Sequence, residues 1–243
     1  MNEHNKSEEL KLLRKAAEDG NPEAQGQLGT LLALGEVVPQ DLDEALKWLK
    51  TAAELGDLTA MFNLGIIYEQ GLGVPCDLEE AGLWFWKAAE HGDTGAKMKL
   101  GTMLLRKTGF SPGSRVLDAI RSSAEEEFPY AQTFLGKIYM DGVGLKQDDA
   151  KAEYWFRKAV RQGDEGAMFN LGEMAAIART TETTEDEVAQ WFYEFGMTCL
   201  KNRNVVKAFD CLVSIKRVVP EHFLSQRLEA EIDRENQTKP GRE

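Results

Sequence analysis

The chain has 243 residues, 42% hydrophobic and 29% charged, the composition of an ordinary folded protein rather than a disordered or fibrous one. Its formal net charge of −12 argues against nonspecific nucleic-acid binding, which needs clustered Lys and Arg, and against docking on an anionic membrane leaflet. No apolar run approaches the ~18 residues of a membrane span.

In chain order, Met1-Asn2-Glu3-His4-Asn5-Lys6-Ser7-Glu8-Glu9 is polar and lacks the apolar stretch of a secretory signal. It is expected to start disordered, with a helix over Leu12-Leu13-Arg14-Lys15-Ala16-Ala17-Glu18-Asp19-Gly20. From there the chain repeats itself, and such self-similarity is the first thing to seek in a sequence. Ala24-Gln25-Gly26-Gln27-Leu28-Gly29 returns as Ala60-Met61-Phe62-Asn63-Leu64-Gly65, Ala96-Lys97-Met98-Lys99-Leu100-Gly101, Ala131-Gln132-Thr133-Phe134-Leu135-Gly136 and Ala167-Met168-Phe169-Asn170-Leu171-Gly172. The lead alanines are spaced 36, 36, 35 and 36 residues apart, and Trp48, Trp84, Trp155 and Trp191 each follow one by 24.

Each unit reads as two helices. The first carries Ala-x-x-x-Leu-Gly-x-x-Tyr; the second is clearest in Glu80 to Glu90 and in Ala152 to Val160. Asp57, Asp93 and Asp164 stand where first helices need an N-cap, each after a glycine (Gly56, Gly92, Gly163) that ends the preceding helix. Asp41 with Glu44, and Asp77 with Glu80, have capping-box spacing at the start of second helices. Gly71-Leu72-Gly73-Val74 and Gly142-Val143-Gly144-Leu145 are the tight connections. Gly29, Gly65, Gly101, Gly136 and Gly172, with Ala52, Ala88, Ala124 and Ala159 opposite, are expected to let paired helices approach closely. Tyr68, Tyr139 and the tryptophans fill the space between hairpins, which must stack to bury their apolar faces.

The unit led by Ala96 lacks the tyrosine, the tryptophan and the Gly-x-Gly turn, having Lys107-Thr108-Gly109-Phe110-Ser111-Pro112-Gly113 instead; a distorted hairpin is expected. Near the C-terminus, Thr184 with Glu187 is a capping-box start. A last helix is expected over Glu221 to Glu235, followed by a disordered tail.

These residues resemble the Sel-one-like repeat, a longer relative of the tetratricopeptide repeat. The match is near complete in the copies starting near Leu58 and Tyr130, and weaker near Pro22 and Thr94. Phe192, Gly196, Ala208 and Pro220 are similar to a tetratricopeptide unit starting near Ala189. The resemblance implies an all-α fold, an α-α superhelix: a right-handed solenoid of antiparallel helix hairpins. Its expected parts are an N-terminal capping helix in 1–21, a repeat array in 22–180, and a tetratricopeptide-like hairpin with a capping helix in 184–236. A tail in 237–243 completes the chain, which bends at Arg179 to Thr184.

No catalytic constellation stands out, and no catalytic, cofactor or metal residues are expected. His4 lies in the polar start, His91 at a helix end where partial positive charge is favoured, and His222 at a helix start; none has metal-ligand spacing. Lys107-Thr108-Gly109 is similar to an element of penicillin-recognising enzymes, but its Ser-x-x-Lys and Ser-Asp-Asn companions are missing. The Gly-x-Gly turns lack the Gly-Lys-Ser/Thr of a phosphate loop. Cys76, Cys199 and Cys211 are too scattered for a disulfide framework, which places the chain in the cytoplasm; Cys199 and Cys211 are expected to face each other as buried thiols.

The resemblance implies instead a binding face on the first helices, the concave side of tetratricopeptide-like stacks. Carried over by position, that face comprises Thr59, Phe62, Asn63, Ile66 and Glu69; Lys99, Thr102 and Arg106; Tyr130, Phe134, Lys137 and Asp141; and Phe169, Asn170 and Glu173. Asn63 and Asn170 hold the position at which related repeats grip a peptide backbone through the amide. The expected function is a non-enzymatic adaptor that binds another protein or peptide, not nucleic acid or membrane, with oligomeric state left open. An immunity or inhibitor protein against an effector enzyme is the narrower alternative. A hydrolase of β-lactam or cell-wall-like substrates is the alternative from another class.

Overall fold

The computed structural model describes residues 3–108, 114–177, 179–180 and 182–237, with the backbone alone for 3–7. The described residues form thirteen helices and no strand, an all-α helical-repeat fold. They fall into two compact units, Met1–Ile120 and Arg121–Glu243.

The first unit holds α1 (Glu3–Glu18), α2 (Pro22–Leu34), α3 (Leu42–Glu54), α4 (Leu58–Gln70), α5 (Leu78–Glu90), α6 (Thr94–Arg106) and the start of α7 (Arg115–Glu125). The second holds the rest of α7, then α8 (Pro129–Asp141), α9 (Asp149–Arg161), α10 (Glu165–Ala176), α11 (Glu185–Lys201), α12 (Val205–Val218) and α13 (Phe223–Gln237). Helix α1 runs through His4, where a disordered start was expected. Leu10, Leu13 and Ala16 of this helix pack on the α2 core. Residues 109–113 lie outside the described residues, as do residues 238–243 of the tail expected at 237–243, whose first residue, Gln237, instead ends α13.

Capping fixes where helices begin and end. The Asp57, Asp93 and Asp164 carboxylates accept from the amides of Ala60, Ala96 and Ala167 at 2.6, 2.6 and 2.8 Å. Gly71 and Gly142 close α4 and α8 at φ 70° and 64°, the left-handed backbone that a side chain would strain. Thr184 and Glu187 form the full reciprocal box. At Asp41 and Asp77 only the aspartate half forms. Glu44 accepts instead from the Trp48 indole at 3.1 Å and pairs with Arg14 at 3.0 Å, while Glu80 is drawn to Arg115 at 2.8 Å. Longer-range partners outcompete the local return bond.

The hairpins are built on one device. Leu49, Phe85, Phe156 and Phe192 each follow a helix glycine by twenty residues and press on it: a Cβ at Gly29, Gly65, Gly136 or Gly172 would fall closer than 3.0 Å to that side chain. Leu49, Phe85, Phe156 and Phe192 are all buried, each burial contributing about 1.5–3 kcal/mol. Gly101 departs from the expected close approach. A Cβ there would meet nothing within 4 Å, and the residue twenty positions on is Arg121 rather than an aromatic or leucine. Opposite outcomes follow for one substitution. Gly65→Ala is expected to destabilise by about 1–3 kcal/mol through overpacking, whereas Gly101→Ala should stabilise by roughly 0.5–1 kcal/mol through helix propensity. Urea unfolding of the two variants measures both.

Buried glutamines join consecutive repeats. Gln25 donates to the Ala17 carbonyl at 3.0 Å and Gln132 to that of Ala124 at 3.1 Å, each following a lead alanine by one position. At the C-terminal end, α11 is longer than its neighbours, at 17 residues. Its Phe192 sits on Gly172 of α10, and its Gly196 receives Leu228 of α13 and Cys211 of α12. Trp191 packs against two core clusters, that of α9 and α10 and that of α11 to α13. The helix therefore packs on α10 through one contact and on the hairpin of α12 and α13 through others.

Candidate functional site

In the first unit the proposed binding residues lie on α4 and α6, and contacts tie the two helices together. Asn63 donates its side-chain amide to Thr30 of α2 at 2.8 Å, a bond from one first helix to the one before it. Glu69 and Lys99 form a partly buried ion pair at 2.6 Å. Phe62 tilts against Phe85 with ring centres 5.6 Å apart and covers Gly95, where a Cβ would stand 3.2 Å from the ring. Ile66 is half-buried, and Thr59, Thr102 and Arg106 are exposed; Thr102 turns its hydroxyl back to the Met98 carbonyl.

In the second unit the residues behave less uniformly. Phe134 is buried, its ring 5.8 Å from that of Tyr130. Burial, then the neighbouring Asp164, raises the Tyr130 hydroxyl above the usual tyrosine range. Lys137 and Asp141 pair with each other at 3.1 Å along α8. Phe169 is exposed and meets Phe192 edge-on at 6.4 Å. Asn170 differs from Asn63, for its amide donates to the Gly166 carbonyl of its own helix at 2.9 Å. Glu173 pairs with Arg217 of α12 at 2.9 Å.

Three charged pairs were not foreseen from the sequence. Arg14 with Glu44, Arg157 with Glu187 and Arg179 with Asp149 join residues thirty apart, a separation close to the repeat length. The hydrogen bond from Arg179 holds the Asp149 carboxyl below its ordinary range. Glu187 is lowered by the Thr184 amide first and Arg157 after it. Glu153 is a buried carboxylate whose Oε1 accepts from the amides of Glu182 and Thr183 at 3.0 and 2.6 Å and from the Thr183 hydroxyl at 2.6 Å. The cysteines are free thiols, Cys199 and Cys211 buried; burial, and next the neighbouring Cys199, push Cys211 up to about 12. That makes it an inert core thiol rather than a nucleophile.

Among the described residues no group of His, Cys, Asp or Glu is arranged to hold a metal ion, and no helix is long and apolar enough to cross a membrane.

The architecture is that of a helical-repeat protein whose hairpins close through the contact of a helix glycine with a buried leucine or phenylalanine. The Sel1 repeat model matches residues 10–21, 22–57, 58–93 and 129–164, passing over the divergent unit led by Ala96. A Sel1 repeat protein from Oxalobacter formigenes is 31% identical over 75% of this chain and 77% of that one, with a TM-score of 0.46. A protective antigen present in uropathogenic Escherichia coli strains, displaying an SLR fold, is 24% identical over 95% of this chain, with a TM-score of 0.49. This chain spans about half of that antigen, 49% of its length. A sel1 repeat protein from Klebsiella pneumoniae subsp. pneumoniae is 23% identical over 85% of this chain and 97% of that one, with a TM-score of 0.35. No curated protein matches the chain. The chain belongs to the Sel1-repeat family, whose members are in general protein–protein interaction scaffolds without catalytic activity.

Proposed function

We propose that the chain is a non-catalytic adaptor whose first-helix faces hold a segment of a partner protein. The observation that carries this reading is the state of Asn63. One of its amide hydrogens is committed to Thr30, which orients the side chain and leaves its carbonyl oxygen to accept a partner's backbone N–H. Phe62 and Ile66 flank it, half-buried, and supply apolar contact without having to be ordered on binding. In the second unit Phe169 and Asn170 offer the same pair of residue types. Free thiols at Cys76, Cys199 and Cys211 support a reducing compartment such as the cytoplasm.

The test is a comparison of partners retained from lysate by the wild type and by the Asn63→Ala/Asn170→Ala double variant, with matched thermal melts. Loss of one polar anchor is worth about tenfold in affinity, so at least one specific partner should drop by that factor. Partners retained unchanged would remove the support for the face. Turnover of a β-lactam or cell-wall fragment by the pure protein would favour the hydrolase instead.

A further inference from the structure

The repeats differ at one position of their first helices, the second after each lead alanine, which is Gly26, Phe62, Met98, Thr133 or Phe169. Phe62 and Thr133 both reach the start of the next first helix. Phe62 lies over Gly95, where a Cβ would stand 3.2 Å from its ring, and Thr133 donates its hydroxyl to Asp164 at 2.8 Å. Gly26 has no side chain to do either. The Asp57 carboxylate stands directly against the bare backbone of α2, a Cβ at Gly26 falling 2.8 Å from its Oδ1, and a cavity of about 490 Å³ lies beside it.

The polar lining of that cavity is one-sided in charge. Glu23, Gln27, Thr30 and Leu31 of α2 face Asp57 and Thr59 at the start of α4 across it. Oδ1 of Asp57 accepts from the Ala60 amide and Oε1 of Glu23 from the Gln27 side chain, which leaves the second oxygen of each carboxylate open. Among the described residues no Lys or Arg pairs with either acid. Thr30, whose hydroxyl takes the Asn63 amide at 2.8 Å, belongs both to the cavity and to the proposed peptide grip, so the two are continuous. The half-buried Leu31 adds an apolar wall.

We infer that this cavity receives an arginine side chain from the partner segment held at Asn63, an inference that rests on the partner-binding reading of the first helices. The guanidinium is planar, rich in N–H donors and more weakly hydrated than an ammonium. It can bridge acceptors on two helices while its methylene stem runs along Leu31. An acidic or phosphorylated side chain would meet two uncompensated negative charges. An apolar one would cut the carboxylates off from water without replacing their hydrogen bonds. Since glycine holds this position in the first repeat and bulkier residues hold it in the others, the arginine sets the register of the segment on α2 and α4.

The test is panning of a random peptide library, displayed on phage, against the full chain as wild type, as Asn63→Ala and as Glu23→Gln/Asp57→Asn. The paired variant removes both charges and keeps the helix cap, because Asn caps as well as Asp; its thermal melt should match that of the wild type. Peptides recovered by the wild type should carry arginine at one fixed position. Replacing it with alanine in a synthetic copy should weaken binding about tenfold. The same replacement should matter little on Glu23→Gln/Asp57→Asn, the signature of directly coupled partners. Wild-type peptides without a fixed arginine, or an arginine preference that the paired variant keeps, overturn the inference. If such peptides still lose affinity on Asn63→Ala, the adaptor reading survives that failure. Recovery of no peptide by the wild type overturns both.

Discussion

Phe192→Ala is expected to lower the stability of the chain by about 3–5 kcal/mol, measured as a fall in the urea midpoint at unchanged slope. Phe192 is buried, fills the space left by Gly172, and takes the edge of Phe169 on its ring. Truncation leaves a cavity that Gly172, having no side chain, cannot fill. The loss should be felt in both clusters that α11 serves. Tryptophan fluorescence from the adjacent Trp191 and far-ultraviolet circular dichroism should therefore shift together. Two separated transitions, with Trp191 reporting only one, would show that α11 does not couple them.

Glu153→Ala is expected to cost about 3 kcal/mol, a large effect for a residue whose charge suggests a solvated surface position. Its Oε1 is the acceptor for two backbone amides and one hydroxyl of the 182–183 segment, and it is only 2% exposed. Removing it strands these donors and releases the segment that leads into α11. Hydrogen exchange at the Glu182 and Thr183 amides separates this from a general loss of packing: those two amides should lose protection before the core of α9 does. Unchanged protection there would mean that the carboxylate is not what holds the segment.

The parts of the fold that were legible in the sequence are those encoded within one repeat: the lead alanine with the glycine five residues on, and the aspartate caps, which follow from one side chain and one amide. The glycine's counterpart was not legible, for Ala52, Ala88 and Ala159 were expected opposite Gly29, Gly65 and Gly136, and Leu49, Phe85 and Phe156 press there instead. Gly101 shows the limit of reading one member of a pair. Glycine at the right phase promises a close approach only when its counterpart is apolar, and Arg121 is not. The incomplete boxes at Glu44 and Glu80 have a different cause, since Trp48, Arg14 and Arg115 compete for the same carboxylates. Glu153 was hidden for a similar reason, its partners lying thirty residues away in a segment without helical periodicity. For the binding face, phase placed the candidates on first helices but could not tell the half-buried Phe62 from the buried Phe134, nor show that Asn63 and Asn170 bond to different neighbours.

The double allegiance of α11 has a consequence for how such chains are spliced together. Its N-terminal half answers to the glycine of a preceding 36-residue unit and its C-terminal half to the hairpin that follows. Nothing upstream of Gly172 has to know what comes next. A graft made at α11 would thus join any array ending in the same glycine to this terminal hairpin, with the helix acting as the coupling between them.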